Sequence, residues 1–390
     1  MRDDMLIGPG SSAAIPDVVR RCVGTSRRLR TAVVVSGGFD TRPWSASIRQ
    51  AVCGLAPEWF SQHGTLRPAG VAALARQLRE CRADAVVAVG GGSVLDAAKA
   101  AAALSGVTDV EAQTVIAACT GDFQPPSART RLVAVPTTPG TGAEVTPFAT
   151  IWQPERNRKL SLSGQELVPA GAILDPDLLR SLSATQLCAG VLDTLCQGAE
   201  AAWSIRATAE STSYGLAAVA LVGSMLEPLD PEQPGDAALL TLQLAGNLSG
   251  HAIALAPTSS CHALSYPLTL RAGLAHGYAC GVTFGRMLRY NADVKEADCA
   301  DPRGAARVRD VVDRIVAALG AADPADAEKR VDAFLGRNML ATLDEIPYRP
   351  DLLAREALAY PRSADNPRVL SIPGLIRQLG RRPVAEDLCP

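Results

Sequence analysis

Asp193 and Gln197 stand four residues apart in VLDTLCQGAEAAWS, a segment whose other positions are mostly apolar. On a helix that spacing sets both on one face, and a carboxylate in the middle of an apolar helix needs a reason to be buried. Histidine is scarce: the chain has four, His63, His251, His262 and His276. The last two lie fourteen residues apart in CHALSYPLTLRAGLAHGYACG, with Pro267 and Gly273 between them to bend the chain back. One carboxylate, one amide oxygen and two imidazoles would make a divalent site for Fe(II) or Zn(II). The same residues would also serve as a capping aspartate and two core histidines, and on spacing alone that reading comes first. The ten cysteines, Cys22, Cys53, Cys81, Cys119, Cys188, Cys196, Cys261, Cys280, Cys299 and Cys389, form no CxxC pair. Several lie in apolar runs, so they read as reduced, buried thiols acting as small hydrophobes, ahead of a disulfide framework or a zinc set.

A second kind of chemistry is written in glycine. GGGSVLDAAKA follows the apolar run DAVVAVG directly. Gly90, Gly91 and Gly92 let a backbone come close to a bound group, and a helix opening at Ser93 would offer its N–H groups and positive dipole end to a phosphate. VPTTPGTGAEVT, residues 135–146, repeats the arrangement with Gly140, Gly142 and the hydroxyls of Thr137, Thr138, Thr141 and Thr146. Two such turns at successive strand ends are what a dinucleotide lying across the carboxyl edge of a sheet requires. Neither is a GxGxxG fingerprint, and there is no GxxxxGK[ST] loop, which argues against a nucleotide triphosphatase.

The elements that must carry these turns follow from patterning. TAVVVS (31–36), DAVVAVG (84–90) and RLVAVP (131–136) are β-branched runs closed by Gly or Pro, as buried parallel strands are. Segments 70–82 and 93–104 between them have helical period, and strand–helix alternation predicts an α/β domain with a parallel sheet. From about residue 183 long Ala- and Leu-rich helical stretches replace the β-branched runs, which predicts an all-α domain. The expected boundaries are 1–182 and 183–390, with Asp175–Pro176 breaking the pattern near the junction and a loop at 228–235. A net charge of −2 over 390 residues supplies no basic excess for nucleic acid. The acidic start is no secretory signal, and the Ala-rich stretches fall short of the roughly 20 apolar positions of a membrane span. A cytoplasmic protein without membrane partners is expected.

Taken together these residues resemble the iron-containing (group III) alcohol dehydrogenase family over nearly the whole chain. GGGSVLDAAKA matches its pyrophosphate turn, VPTTPGTGAEVT its nicotinamide-side turn and AILDPDLL its domain junction. The resemblance implies an N-terminal dinucleotide domain, an all-α C-terminal domain, a catalytic cleft between them and a homodimer. It places Asp193, His262 and His276 on the family's metal ligands. It implies cofactor contacts at Gly37, Gly38, Gly91, Gly92, Ser93, Asp96, Thr137, Thr138, Thr141, Thr146, Lys159 and Leu178.

Three departures stand out. Gln197 occupies the place of a further metal histidine, with a weaker and harder donor. Tyr266 replaces a further active-site histidine and becomes a candidate proton donor. Gly37, after the first of these strands, replaces an aspartate that would repel a 2′-phosphate, so NADPH as well as NADH is expected. DTLCQGAEAAWS and HALSYPLTLRAGLAHG resemble the branch that reduces phosphonoacetaldehyde, with close relatives acting on phosphonopyruvate. That implies a small anionic carbonyl substrate, for which Arg271 is the candidate partner, an exposed loop arginine being the other reading of it. The alternatives are a reductase of ordinary small aldehydes, a sugar-phosphate cyclase-type lyase that uses NAD transiently, and a metal-free homologue without activity.

Overall fold

The computed structural model describes residues 4–24, 29–126, 130–156 and 158–380. The chain divides into two compact units, one of residues 1–138 and 142–181, the other of residues 139–141 and 182–390.

The first unit holds strands β1 (Met5–Ile7), β2 (Thr31–Ser36), β3 (Glu58–Gln62), β4 (Ala85–Gly90), β5 (Arg131–Pro136), β6 (Phe148–Gln153), β7 (Arg158–Ser163) and β8 (Gly171–Leu174). Its helices are α1 (Ile15–Val23), α2 (Ser45–Val52), α3 (Pro68–Glu80), α4 (Gly92–Leu104) and α5 (Ala112–Thr120). Six strands form one parallel sheet in the order β1-β8-β5-β4-β2-β3. The period of two is visible in the packing. Ala32, Val34, Val86, Ala88, Leu132 and Ala134 join one core, with residues of α3, α4 and α5. Their neighbours Val33, Val35, Val87, Val89, Val133 and Val135 join the opposite one, with α1 and α2. Both faces being covered, the strands read as unbroken apolar runs instead of alternating ones.

Strand β3 lies on one side of β2 and β4 on the other, so the strand order reverses at β2, and in such sheets ligands bind at the carboxyl ends beside that reversal. The three expected strands and both expected helices are present. The antiparallel ribbon of β6 and β7 was not anticipated, because its polar face and the intervening Pro154 hide the alternation. Near the junction, buried Asp175 accepts N–H groups from Gly10 (3.0 Å), Ser12 (3.0 Å) and Asp177 (3.1 Å), which ties the turn after β1 to the end of β8.

The second unit contains α6 (Ala184–Trp203), α7 (Ala209–Met225), α8 (Asp236–Leu255), α9 (Ser260–Ala272), α10 (His276–Ala292), α11 (Ala305–Ala318), α12 (Pro324–Arg337), α13 (Pro350–Leu358) and α14 (Ile372–Leu379). No strand is assigned among its described residues; Cys299 and Arg368 form a single isolated bridge. Contrary to the expectation of no span-like stretch, α8 is long and apolar enough to cross a bilayer by length and composition. Its Leu239, Leu242, Ala245, Ala252 and Ile253 are buried within the unit. Pro139–Thr141, the middle of the second glycine turn, packs here. Gly140 has φ +117°, and a Cβ on Gly190 or Gly246 would meet Pro139 O at 2.6 Å or Gly140 N at 2.9 Å. Glycine at these positions is what lets the turn lie on α6 and α8.

Lys99 organises the other half of that turn. Its buried ammonium donates to Ala143 O (3.0 Å), Thr146 Oγ1 (2.9 Å) and Phe148 O, and lies 3.8 Å from Asp96. Burial pushes its pKa down from 10.5 to about 8, against the pull of Asp96 and Glu144. Replacing Lys99 by Met strands three acceptors and a buried carboxylate, and should cost about 3 kcal/mol of stability. Between pH about 8 and 10.5 the unfolded lysine still holds the proton that the folded one has shed. The stability contributed by Lys99 therefore rises with pH across that window and is smallest below it. Urea midpoints for the protein and its Lys99→Met variant should diverge further at pH about 10 than at pH about 7.

Candidate metal centre and nucleotide turns

Helix α6 begins at a capping box in which Ser183 Oγ accepts from Gln186 N (3.3 Å) and Gln186 Oε1 accepts from Ser183 N (3.2 Å). That fixed start sets the phase of the whole helix. Asp193, Gln197 and Glu200 then fall at i, i+4 and i+7, one buried polar stripe on an otherwise apolar helix.

Glu200 is fully buried and acts on the start of α9. Its Oε1 accepts from Ser259 Oγ (3.2 Å) and from the backbone N–H groups of Cys261 (2.6 Å) and His262 (3.4 Å). The carboxylate thus satisfies donors that a helix start leaves over, where the dipole favours negative charge. Its Oε2 takes the Nδ1 side of the His262 ring in a short hydrogen bond. With Nδ1 held by Glu200, His262 Nε2 is turned toward Asp193, 3.4 Å from its Oδ1, and is the nitrogen that would give up its proton to bind a metal. Burial by itself disfavours the charged imidazole, but Cys280, Glu200 and Asp193 outweigh it and hold the His262 pKa well above its ordinary value.

His276 opens α10. The turn that brings it back is made at Gly273 (φ +68°), not at Pro267, which α9 accommodates within its length. Ser265 donates to His262 O (2.8 Å), and His276 Nδ1 lies 3.3 Å from the same hydroxyl. With the hydroxyl proton on the carbonyl, His276 Nδ1–H is the donor and its Nε2 the acceptor side. The histidine rings are 5.3 Å apart. Asp193, His262, His276 and Cys280 bring one donor atom each to within 4.8 Å of one another.

A divalent transition ion fits this set. A tetrahedral ion with bonds of about 2.0–2.3 Å keeps its donors about 3.3–3.8 Å apart, and the 3.4 Å edge between Asp193 and His262 already has that length. A histidine whose other nitrogen is held by a carboxylate is the usual supporting arrangement of such sites. Gln197 is buried beside Asp193 on the stripe, with Oε1 accepting from Ser249 Oγ at 3.0 Å.

The other expected residues divide. Tyr266 is buried, its ring stacked on His276 (5.7 Å) and against Tyr360 (4.2 Å). Burial, then Tyr360, pushes its pKa well above the ordinary value, so the hydroxyl keeps its proton. Arg271 is not brought to the donors. It lies nine residues beyond His262, about 13 Å along the helix axis. Its exposed fork lies on Glu356, with Nε donating to Oε2 at 3.0 Å. A different arginine, Arg362, lies two residues beyond Tyr360, whose ring packs against that of Tyr266.

In the first unit Gly37 and Gly38 follow β2, Gly91, Gly92 and Ser93 follow β4, and Thr137 and Thr138 follow β5, all at carboxyl ends of neighbouring parallel strands. No side chain caps α4 at Gly91, so its first-turn N–H groups face outward from Gly92 and Ser93, as phosphate binding needs. A Cβ on Gly91 would meet the Thr138 side chain at 3.2 Å. A Cβ on Gly37 would run into the exposed ring of His63.

Three of the residues expected at the cofactor also have structural partners. Asp96 Oδ2 accepts Thr150 N (2.8 Å), Thr146 is tied to Lys99, and Leu178 is buried in the core under α1 and α2. Thr141 belongs to the second unit. Half-buried Lys159 lies on β7 with its ammonium 5.9 Å from the Trp152 ring centre. The nine described cysteines are free thiols, as expected, but Cys53 is exposed and only Cys188, Cys196, Cys261 and Cys280 are buried. Cys389 lies outside the described residues.

A profile of iron-containing alcohol dehydrogenases matches residues 3–176, and one of the C-terminal region of the Fe-containing alcohol dehydrogenase family matches residues 187–357. The chain is 51% identical over 368 residues to the phosphonoacetaldehyde reductase of Streptomyces viridochromogenes, covering 93% of this chain and 92% of that one. It is 33% identical over 221 residues to the probable alcohol dehydrogenase EutG of Escherichia coli K12, covering 57% of this chain and 55% of that protein. The fold matches the crystal structure of sulfoacetaldehyde reductase from Bifidobacterium kashiwanohense in complex with NAD+, with a TM-score of 0.81, 24% identity and 96% of each chain covered.

The support that Glu200 gives His262 can be measured. Glu200→Gln keeps the shape but weakens the hold on Nδ1, and should lower divalent-metal affinity roughly 10- to 100-fold in a chelator competition. His276→Ala should remove bound metal altogether while far-UV circular dichroism stays unchanged.

Proposed function

The chain belongs to the iron-containing alcohol dehydrogenase family, and from that premise we propose that it reduces phosphonoacetaldehyde to 2-hydroxyethylphosphonate with NADPH or NADH. The reading is carried by the 51% identity to a phosphonoacetaldehyde reductase, which extends over 93% of the chain. Aldehyde, reduced nicotinamide and one proton give alcohol and oxidised nicotinamide.

Asp193, His262 and His276 would hold the metal, with Gln197 beside them. A divalent ion bound there supplies Lewis acidity toward the carbonyl oxygen, and the nicotinamide supplies the hydride. The protein's own share is orientation. Glu200 fixes the His262 tautomer, and Ser265 together with the Tyr266 ring holds His276. The buried Tyr266 hydroxyl stays protonated until the product forms; Tyr266 or a water then gives a proton to the product oxygen and is reprotonated from solvent. The turns at Gly37–Gly38, Gly91–Ser93 and Thr137–Thr138 cradle the dinucleotide.

Arg362 meets the phosphonate. It follows two residues after Tyr360, whose ring packs against Tyr266, whereas Arg271 is held by Glu356. Loss of a charge-assisted contact of about 1.5–3 kcal/mol should raise KM for phosphonoacetaldehyde roughly 10- to 100-fold in Arg362→Ala. KM for neutral aldehydes should not move, and Arg271→Ala should leave both unchanged.

Nicotinamide oxidation by the metal-reconstituted protein, with phosphonoacetaldehyde, phosphonopyruvate and simple aldehydes in parallel, tests the reading. Preference for a neutral aldehyde would make the chain an ordinary small-aldehyde reductase. Turnover without net nicotinamide oxidation would make it a cyclase-type lyase, and no turnover at all a homologue without activity. Gly37 leaves the 2′ position uncharged, so NADPH should serve at least as well as NADH. Gly37→Asp, made together with His63→Ala to clear the ring, should penalise NADPH selectively.

A further inference from the structure

Helices α6 and α10 touch almost backbone to backbone. A Cβ on Gly277 would meet Ala189 O and, at 2.7 Å, Asp193 Cβ; one on Gly281 would meet Leu192 Cβ at 2.7 Å. Gly277 and Gly281 are four residues apart, one turn of α10, and the residues preceding them are His276 and Cys280. The spacing that lets the helices close therefore also sets His276 and Cys280 on one face, beside Asp193. Cys280 is fully buried, and its thiol faces His262 and Ser265. Its sulfur is one of the four donor atoms that lie within 4.8 Å of one another. The amide oxygen of Gln197, in contrast, accepts from Ser249 Oγ at 3.0 Å.

We propose that Cys280 is a direct ligand of the divalent ion, completing a set of one oxygen, two nitrogens and one sulfur from Asp193, His262, His276 and Cys280. This rests on the reading that the cluster binds metal, and goes beyond it in naming a thiolate donor. The S–H bond of Cys280 breaks as the sulfur–metal bond forms, and the proton leaves to solvent. No electron changes hands. Asp193 and Cys280 together neutralise a divalent ion, and a soft sulfur donor moves the preference toward Zn(II) and away from the harder Fe(II).

The experiment uses the full-length protein stripped of metal and loaded with Co(II) alone, without nicotinamide or aldehyde. A thiolate-to-cobalt charge-transfer band in the near ultraviolet is expected. It should vanish in Cys280→Ser and Cys280→Ala while the visible cobalt bands persist, and survive in Cys188→Ser, a buried thiol outside the cluster. Zn(II) affinity, read by chelator competition, should fall at least ~10-fold in Cys280→Ser, and the preference for Zn(II) over Fe(II) should shrink. Cobalt bound to the unaltered protein without the charge-transfer band overturns the proposal, even where a variant fails to fold. So does a band, or a zinc affinity, that Cys280→Ser leaves unchanged. Because no substrate enters the measurement, a thiolate band in a protein inert toward phosphonoacetaldehyde removes the substrate reading alone. Turnover of phosphonoacetaldehyde without the band removes the ligand alone.

Discussion

The carboxylate of Glu200 has no contact with solvent; one of its oxygens is stabilised by the beginning of a helix and the other by the ring of His262. By accepting the N–H groups of Cys261 and His262, it fixes where α9 starts, and the same group orients the imidazole of His262. Backbone and side chain are thus placed by one anion. The phase of α9 that follows sets Ser265 and Tyr266 against His276. Remove the carboxylate, and the tautomer, the ring angle and the first turn lose their common reference.

Close helix approach is the second constraint on the centre. Gly277 and Gly281 on α10 have no room for a side chain against Ala189, Leu192 and Asp193 of α6. In return the donors of two helices reach one point without long, floppy side chains, so little rotamer entropy is lost when they are gathered. The first unit solves a related problem with a sheet. Strands buried on both faces end in glycine turns that can sit close to a phosphate, and Lys99 pins the loop that follows β5 from beneath.

Much of this was legible in the sequence because its signals are local. The β-branched runs, the two glycine turns and the helical second half each need only a short window. Asp193, His262 and His276 were visible as polar residues in apolar surroundings. Glu200 was overlooked although it continues the stripe from Asp193 at i+7, since a glutamate late in a helix ordinarily faces water. Cys280 was absorbed into the general class of buried thiols, when its distance of one turn from His276 was the signal. The arginine nearest in sequence was Arg271, but a helix carries it away from His262 and onto Glu356, 85 residues later, a pairing that no short window contains. Gly37 showed a missing charge, but not the ring of His63 beside it.

Pro139–Thr141 belongs with the helices although the chain on both sides of it belongs with the sheet. The polypeptide therefore passes from one unit to the other three times. A gene fragment beginning at residue 182 would encode every helix of the second unit, but leave the backbone surfaces at Gly190 and Gly246 without the segment that packs on them. The helical half is in this sense not a portable module. Recombination that exchanged it between relatives would have to bring along three residues encoded some forty codons upstream, so the two halves are bound to diverge together.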